Sequence, residues 1–178
     1  MKILLGDDHR LFIEGLTAIL HNYRPEITLE CVYSGADVLH KINGNEYDLV
    51  LLDLRLPEVN GFDVLARLQD SSCLTPVIVL SASENPIDAQ RTASLGARAF
   101  LSKKCSAPEI LSVIDQVMLG ELIFHEGGQP NQIINKNHQD WCDLHGITPR
   151  QLEVLRLMKH GLANSAIAHT LNISPATV

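Results

Sequence analysis

The sequence predicts a doubly wound α/β domain followed by a small, incomplete all-α module, and three observations carry that prediction. From residue 2 to about 120, short apolar runs alternate with segments of helical period. The runs at the second to fourth strand positions are apolar nearly throughout, as expected of parallel strands covered on both faces by crossover helices. Helical patterning then fails over a polar stretch and resumes near Thr148.

The first pair is Ile3 to Leu5, a strand, and the apolar positions Leu11, Phe12, Leu16, Ile19 and Leu20, a helix. Four pairs follow: Leu29 to Tyr33 with Ala36 to Ile42, Leu49 to Asp53 with Phe62 to Leu68, Val77 to Leu80 with Ile87 to Leu95, and Ala99 to Leu101 with Ile110 to Leu119. Residues 1–120 therefore form the first domain. Residues 121–145, with Gly127-Gly128-Gln129-Pro130-Asn131 and Asn135-Lys136-Asn137-His138, are turn-rich and polar and form a linker. In residues 146–178, Thr148-Pro149-Arg150-Gln151 supplies an N-cap, a proline at the first helical position and a capping-box glutamine. Leu152, Leu155 and Met158 make its apolar stripe, and a second short helix is expected from Asn164 to about Leu171.

The chain has 178 residues, is 46% hydrophobic and 20% charged, and carries a net charge of −7, which excludes a mainly disordered state. No apolar run approaches the roughly 20 residues of a membrane span, and Asp7 and Asp8 follow the first strand too soon for a signal peptide, so a cytoplasmic protein is expected. Cys31, Cys73, Cys105 and Cys142 are scattered with no Cys-x-x-Cys pair, which argues against a zinc site or a disulfide framework. Residues 1–120 hold 10 basic and 16 acidic side chains, against 4 and 5 in residues 121–178. Any DNA contact belongs to the C-terminal part, because neutralising phosphates needs Lys and Arg.

Ligands of a doubly wound sheet bind beyond the carboxyl ends of its strands. There the sequence places Asp7 and Asp8, Asp53, Ser81 and Lys103. Three converging carboxylates repel unless a hard divalent cation sits among them, and magnesium is the natural occupant. A carboxylate beside that cation, faced by an ammonium and a hydroxyl, is equipped to take up a phosphoryl group as an acyl phosphate. Asp53 is the expected nucleophile, Asp8 a direct metal ligand, Asp7 a ligand directly or through water, and Ser81 and Lys103 the phosphoryl contacts. The plainer reading of Asp7-Asp8 is a helix cap, and of Ser81 a turn residue.

Through Asp7-Asp8, Asp53 with Leu56-Pro57 and Gly61, Ser81-Ala82 and Lys103, residues 2 to about 120 resemble the receiver domain of two-component response regulators. Residues 146–178 resemble the LuxR-type helix-turn-helix, through Ile147-Thr148-Pro149-Arg150-Gln151, Gly161-Leu162-Ala163-Asn164 and Ile173-Ser174-Pro175-Ala176-Thr177-Val178. Together they look like a NarL-type regulator. The resemblance implies a flavodoxin-like five-stranded sheet of order 2-1-3-4-5. It implies phosphorylation of Asp53 by a sensor histidine kinase with Mg2+ held by Asp7, Asp8, Asp53 and the backbone carbonyl of Arg55. It also implies a switch through Ser81 and Phe100, whose ring would turn inward, and a homodimer on phosphorylation. Thr177 and Val178 would open the DNA-reading helix. The family pattern runs on past that point, so the intact relative would bind DNA and this chain is expected to bind it weakly or not at all.

A haloacid-dehalogenase-like phosphatase needs a second acid two residues after its nucleophile, where this chain has Arg55. A flavodoxin-like electron carrier needs a phosphate loop where Asp7-Asp8 would repel the flavin phosphate. The remaining alternative is a receiver that acts as a protein-interaction module without a DNA reader.

Overall fold

Leu49–Leu52, four residues buried without interruption, form the middle strand of a parallel sheet. In the computed structural model the described residues are 1–71, 73–83, 85–124 and 168. Among them the elements alternate: β1 (Lys2–Gly6), α1 (Arg10–Tyr23), β2 (Thr28–Val32), α2 (Gly35–Gly44), β3 (Leu49–Leu52), α3 (Gly61–Asp70), β4 (Val77–Ser81), α4 (Pro86–Ser94), β5 (Ala99–Ser102) and α5 (Ala107–Met118). The sheet order is β2-β1-β3-β4-β5, every neighbouring pair parallel, as expected.

Strand alternation divides the sheet's side chains between two cores. Ile3, Leu5, Leu49, Leu51, Ile78 and Leu80 face one side, packed with Ile13, Leu16 and Leu20 of α1 and Ile110, Ile114 and Val117 of α5. The alternate residues Leu4, Val50, Leu52 and Val79 are equally buried on the opposite face.

Three expectations need correction. β2 is only partly covered, with Val32 its one buried residue, because it is an edge strand. In α1 the stripe is Ile13, Leu16 and Leu20, while Leu11 is 84% exposed, since it opens the helix on the solvent side. Ile87 likewise sits outside the core, where α4 turns Ala89 and Thr92 inward instead.

The helix starts follow local chemistry. Ser34, Asn60 and Asn85 each accept a backbone N–H with the side chain at the N-cap, and Ser106 with Glu109 forms a capping box that opens α5. Cys31, Cys73 and Cys105 are free thiols.

After α5 the chain turns at Gly120, whose φ of 88° suits glycine, and comes back to the sheet. There Ile123 bridges in parallel to Ala99, and both Ile123 and Phe124 are buried. The chain divides into two compact units, Met1–Ile133 and Ile134–Val178. Of the second, Ala168 is described: it is helical and buried, inside the helix expected from Asn164 to Leu171. The expectations for Thr148, Thr177, Val178 and the rest of that module lie outside the described residues. Among the described residues no helix is long and apolar enough to cross a membrane.

Candidate functional site

The carboxyl ends of β1 and β3 are fastened side by side by the hydrogen bond from the Asp53 N–H to the Gly6 carbonyl, 2.8 Å. That bond sets Asp53 beside Asp7. Asp7 is fully buried and Asp53 2% exposed, so two carboxylates stand in the same dry corner of the fold. Lys103, one residue past β5, reaches across from the far side. Its Nζ lies 2.8 Å from Asp53 Oδ2 and 2.7 Å from Asp7 Oδ2, with 10% of the side chain exposed. The same ammonium sits 5.0 Å from the centre of the Phe12 ring.

One ammonium cannot balance this pocket, because Asp8 adds a third carboxylate at its mouth, 41% exposed. Asp7 Oδ2 is buried and makes no hydrogen bond, its ion-pair partner among the described residues being the Lys103 ammonium at 2.7 Å. Buried charge left in this condition is costly. Three hard carboxylate donors against one ammonium fit a divalent cation such as Mg2+.

The plainer reading of Asp7-Asp8 as a helix cap is not what the structure contains. α1 has His9 at its N-cap with no side-chain cap bond and no acid in its first turn. Asp7 Oδ1 instead accepts the His9 N–H at 2.9 Å, which fixes the carboxylate toward the pocket.

The sequence reading gave His9 no role, yet the fold puts it at the pocket. Its Nδ1 lies 2.9 Å from Asp8 Oδ1, 3.3 Å from Asp7 Oδ1 and 3.7 Å from Asp53 Oδ2. The four residues offer donor atoms all within 4.8 Å of one another. Adjacency to the acidic pair was the available signal, but α1 could have turned the ring to solvent.

Ser81 ends β4 beside Ser102 of β5, 1% exposed. Its Oγ accepts the Ser83 N–H at 3.0 Å, and its carbonyl accepts the Lys103 N–H at 2.8 Å. The hydroxyl hydrogen can still be donated. Phe100 is only 8% exposed, so the ring expected to turn inward already lies inside. Arg55 sits exposed in the loop after β3.

That loop is held tightly. A Cβ on Gly61 would stand 2.4 Å from the Asp53 carbonyl oxygen, and one on Gly35 only 1.8 Å from that of Val59, so both helices press their first residues onto the Asp53 loop. Glu58 between them adopts a φ of 65°, a left-handed conformation that non-glycine residues rarely take.

Residues 3–115 match the family model described as response regulator receiver domain. The chain belongs to the response regulator family. Residues 145–178 of this response regulator match the model of bacterial regulatory proteins of the luxR family. It is 29% identical over 180 residues to the nitrate/nitrite response regulator protein NarL of Escherichia coli strain K12, covering 99% of this chain and 83% of that protein. A nitrate/nitrite response regulator protein homolog of Haemophilus influenzae is 28% identical over 178 residues, covering 100% and 85%. Among solved structures, the signal receiver domain of the putative response regulator NarL from Mycobacterium tuberculosis superposes with a TM-score of 0.60 at 30% identity, covering 65% of this chain and 94% of that one. This response regulator is thus of the NarL type, a phosphorylated transcriptional regulator with a receiver and a LuxR-type helix-turn-helix. The reading as a protein-interaction module without DNA output is not favoured, because the luxR match accompanies the receiver match.

Proposed function

We propose that Asp53 is the phosphoacceptor, that the phosphoryl group comes from a histidine of a sensor kinase, and that Mg2+ assists its transfer in the cytoplasm. The observation that carries this reading is the buried convergence of Asp7, Asp53 and Lys103, with Asp7 Oδ2 lacking a hydrogen bond. Asp7, Asp8, Asp53 and the Arg55 carbonyl would hold the cation. When bound, the cation neutralises charge on the transferring phosphoryl oxygens.

The chain's own residues do the rest. An Asp53 carboxylate oxygen attacks phosphorus, its bond to the donor nitrogen breaks, and the electron pair leaves with the donor. Lys103, already 2.8 Å from Asp53 Oδ2, exchanges its carboxylate partner for a phosphoryl oxygen. Ser81 donates its free hydroxyl hydrogen to another. The low exposure of Asp53 and Lys103 keeps the acyl phosphate from bulk water. The receiver carries and loses this group itself and turns over no separate substrate.

In this proposal the new charge biases the surface formed by β4, α4 and β5, and self-association through that change sets the output of the helix-turn-helix. Intact mass of the whole chain with a small phosphodonor is the test. A single phosphoryl adduct is expected, dependent on Mg2+ and lost in Asp53→Asn. An adduct that survives that substitution or metal chelation overturns the assignment.

A further inference from the structure

The stretch that leaves α5 is bound to the sheet more closely than a linker needs to be. At the end of α5 the Gly120 N–H donates to the Val117 carbonyl at 2.8 Å and the Glu121 N–H to that of Gln116 at 3.0 Å, reversing the chain. The Ile123 N–H then donates to the Arg98 carbonyl at 2.8 Å, and the Ile123 carbonyl accepts the Phe100 N–H at 3.0 Å. Ile123 is 3% exposed inside the core that holds Ala99, Leu101 and Ile114, and Phe124 is 7% exposed. These residues lie beyond the 3–115 that match the receiver family.

We propose that residues 121–124 are a detachable strap, bridged to β5 through Ile123 before phosphorylation and loosened by it, so that the path from the pocket to the C-terminal module begins in the Ile123 backbone pairing. This rests on the reading of Asp53 as phosphoacceptor. The direction follows from the sheet order. Asp53 lies on the β3 side of β5, whereas Ile123 pairs along the opposite edge. Ser81 and Lys103, the groups that would close on a phosphoryl at Asp53, belong to the ends of β4 and β5 and are joined by the Lys103 N–H to Ser81 carbonyl bond. Lys103 already touches Asp53, so drawing Ser81 toward it shifts β4 and, through the Lys103 N–H bond, β5 toward β3, away from the edge where Ile123 pairs between Arg98 and Phe100. Phe100 connects the two sides, since it is paired to Val79 of β4 in register and its N–H holds Ile123.

Amide hydrogen exchange on the full chain tests this, with and without beryllofluoride and Mg2+ as the phosphoryl mimic. Without the mimic, the Ile123 and Phe100 amides should exchange slowly, as core amides do. With it, both should exchange at least tenfold faster while the Leu51 amide in β3 stays protected. Unchanged or slower exchange at Ile123 with the mimic bound overturns the proposal, as does exchange at the free-peptide rate without it. Mimic binding is verified separately from the exchange of the Asp53 loop, so failure of the acceptor reading is told apart from failure of the coupling. Coupling is reciprocal, so Ile123→Pro, which lacks the N–H to Arg98, should bind the mimic severalfold more tightly than wild type. Equal affinity in a folded variant counts against it, and if the variant does not fold the wild-type exchange decides.

Discussion

Two clusters of acids and lysines sit on this sheet with opposite charge balances. At the carboxyl ends of β1 and β3, the carboxylates of Asp7 and Asp53 share the Lys103 ammonium, Asp8 stands beside His9 at the mouth, and Asp7 is fully buried. At the β2 edge a single carboxylate, Glu30, is shared by Lys41 and Lys2 and also accepts the Tyr47 hydroxyl at 2.8 Å, with all the charged side chains a third or so exposed. The Lys2 ammonium adds a contact 4.3 Å from the Tyr47 ring centre. The Lys41 bond, then that of Tyr47, holds the Glu30 carboxyl down at about 2, whereas burial and then the same bond push the Tyr47 phenol up to about 12. The edge cluster is satisfied by its own residues. The pocket holds more acid than Lys103 balances, an arrangement compatible with a divalent cation.

The largest expected effect separates them chemically. Asp53→Asn should remove the phosphoryl adduct completely, while Glu30→Gln leaves it intact; adduct loss in the Glu30 variant would erase the distinction. Next comes packing around the pocket. Gly61→Ala drives a methyl into the Asp53 and Leu54 backbone and should cost about 2–4 kcal/mol in urea unfolding. Gly44→Ala, in α2 with open space around it, should be neutral or gain about 0.5 kcal/mol. Similar losses from both would show that the close approach is not what matters.

Cation linkage gives a smaller effect. Mg2+ at ten times its dissociation constant should stabilise the wild type by about 1.4 kcal/mol, read as a rise in Tm. Asp7→Asn should abolish that rise, and Lys41→Met should not. In the absence of metal, Asp53→Asn should raise stability by about 1 kcal/mol, because one of three crowded charges is gone. A drop would mean that the Lys103 pairing outweighs the repulsion.

The smallest effect belongs to the edge. Glu30 has a folded-state pKa below its unfolded value of 4.5, so its contribution is fully present above pH 4.5 and lost as the pH falls toward 2. Glu30→Gln should flatten that part of the acid limb of a pH–stability profile. An unaltered limb would show the network contributes nothing measurable, as exposed ion pairs often do.

The apolar runs and the residues that end them were legible because both are local. A run such as Leu49 to Leu52 has one way to be buried on both faces, and the residue after it must emerge at the strand's end, which places Asp53, Ser81 and Lys103 at one rim of the sheet. The partial cover of β2, the exposure of Leu11 and Ile87, and the burial of Phe100 were not, because each depends on which element lies alongside.

By itself, then, the sequence determined five β-α pairs, their acidic and basic strand ends, and the motifs of a receiver and a helix-turn-helix. Tertiary structure alone decided that the Gly6 carbonyl takes the Asp53 N–H, which sets Asp7 against Asp53, that His9 turns into the pocket, and that Ile123 returns to β5. Periodicity reports how many faces of a segment are covered. The partner and register of each hydrogen bond between residues distant in the chain are fixed only when the whole sheet assembles.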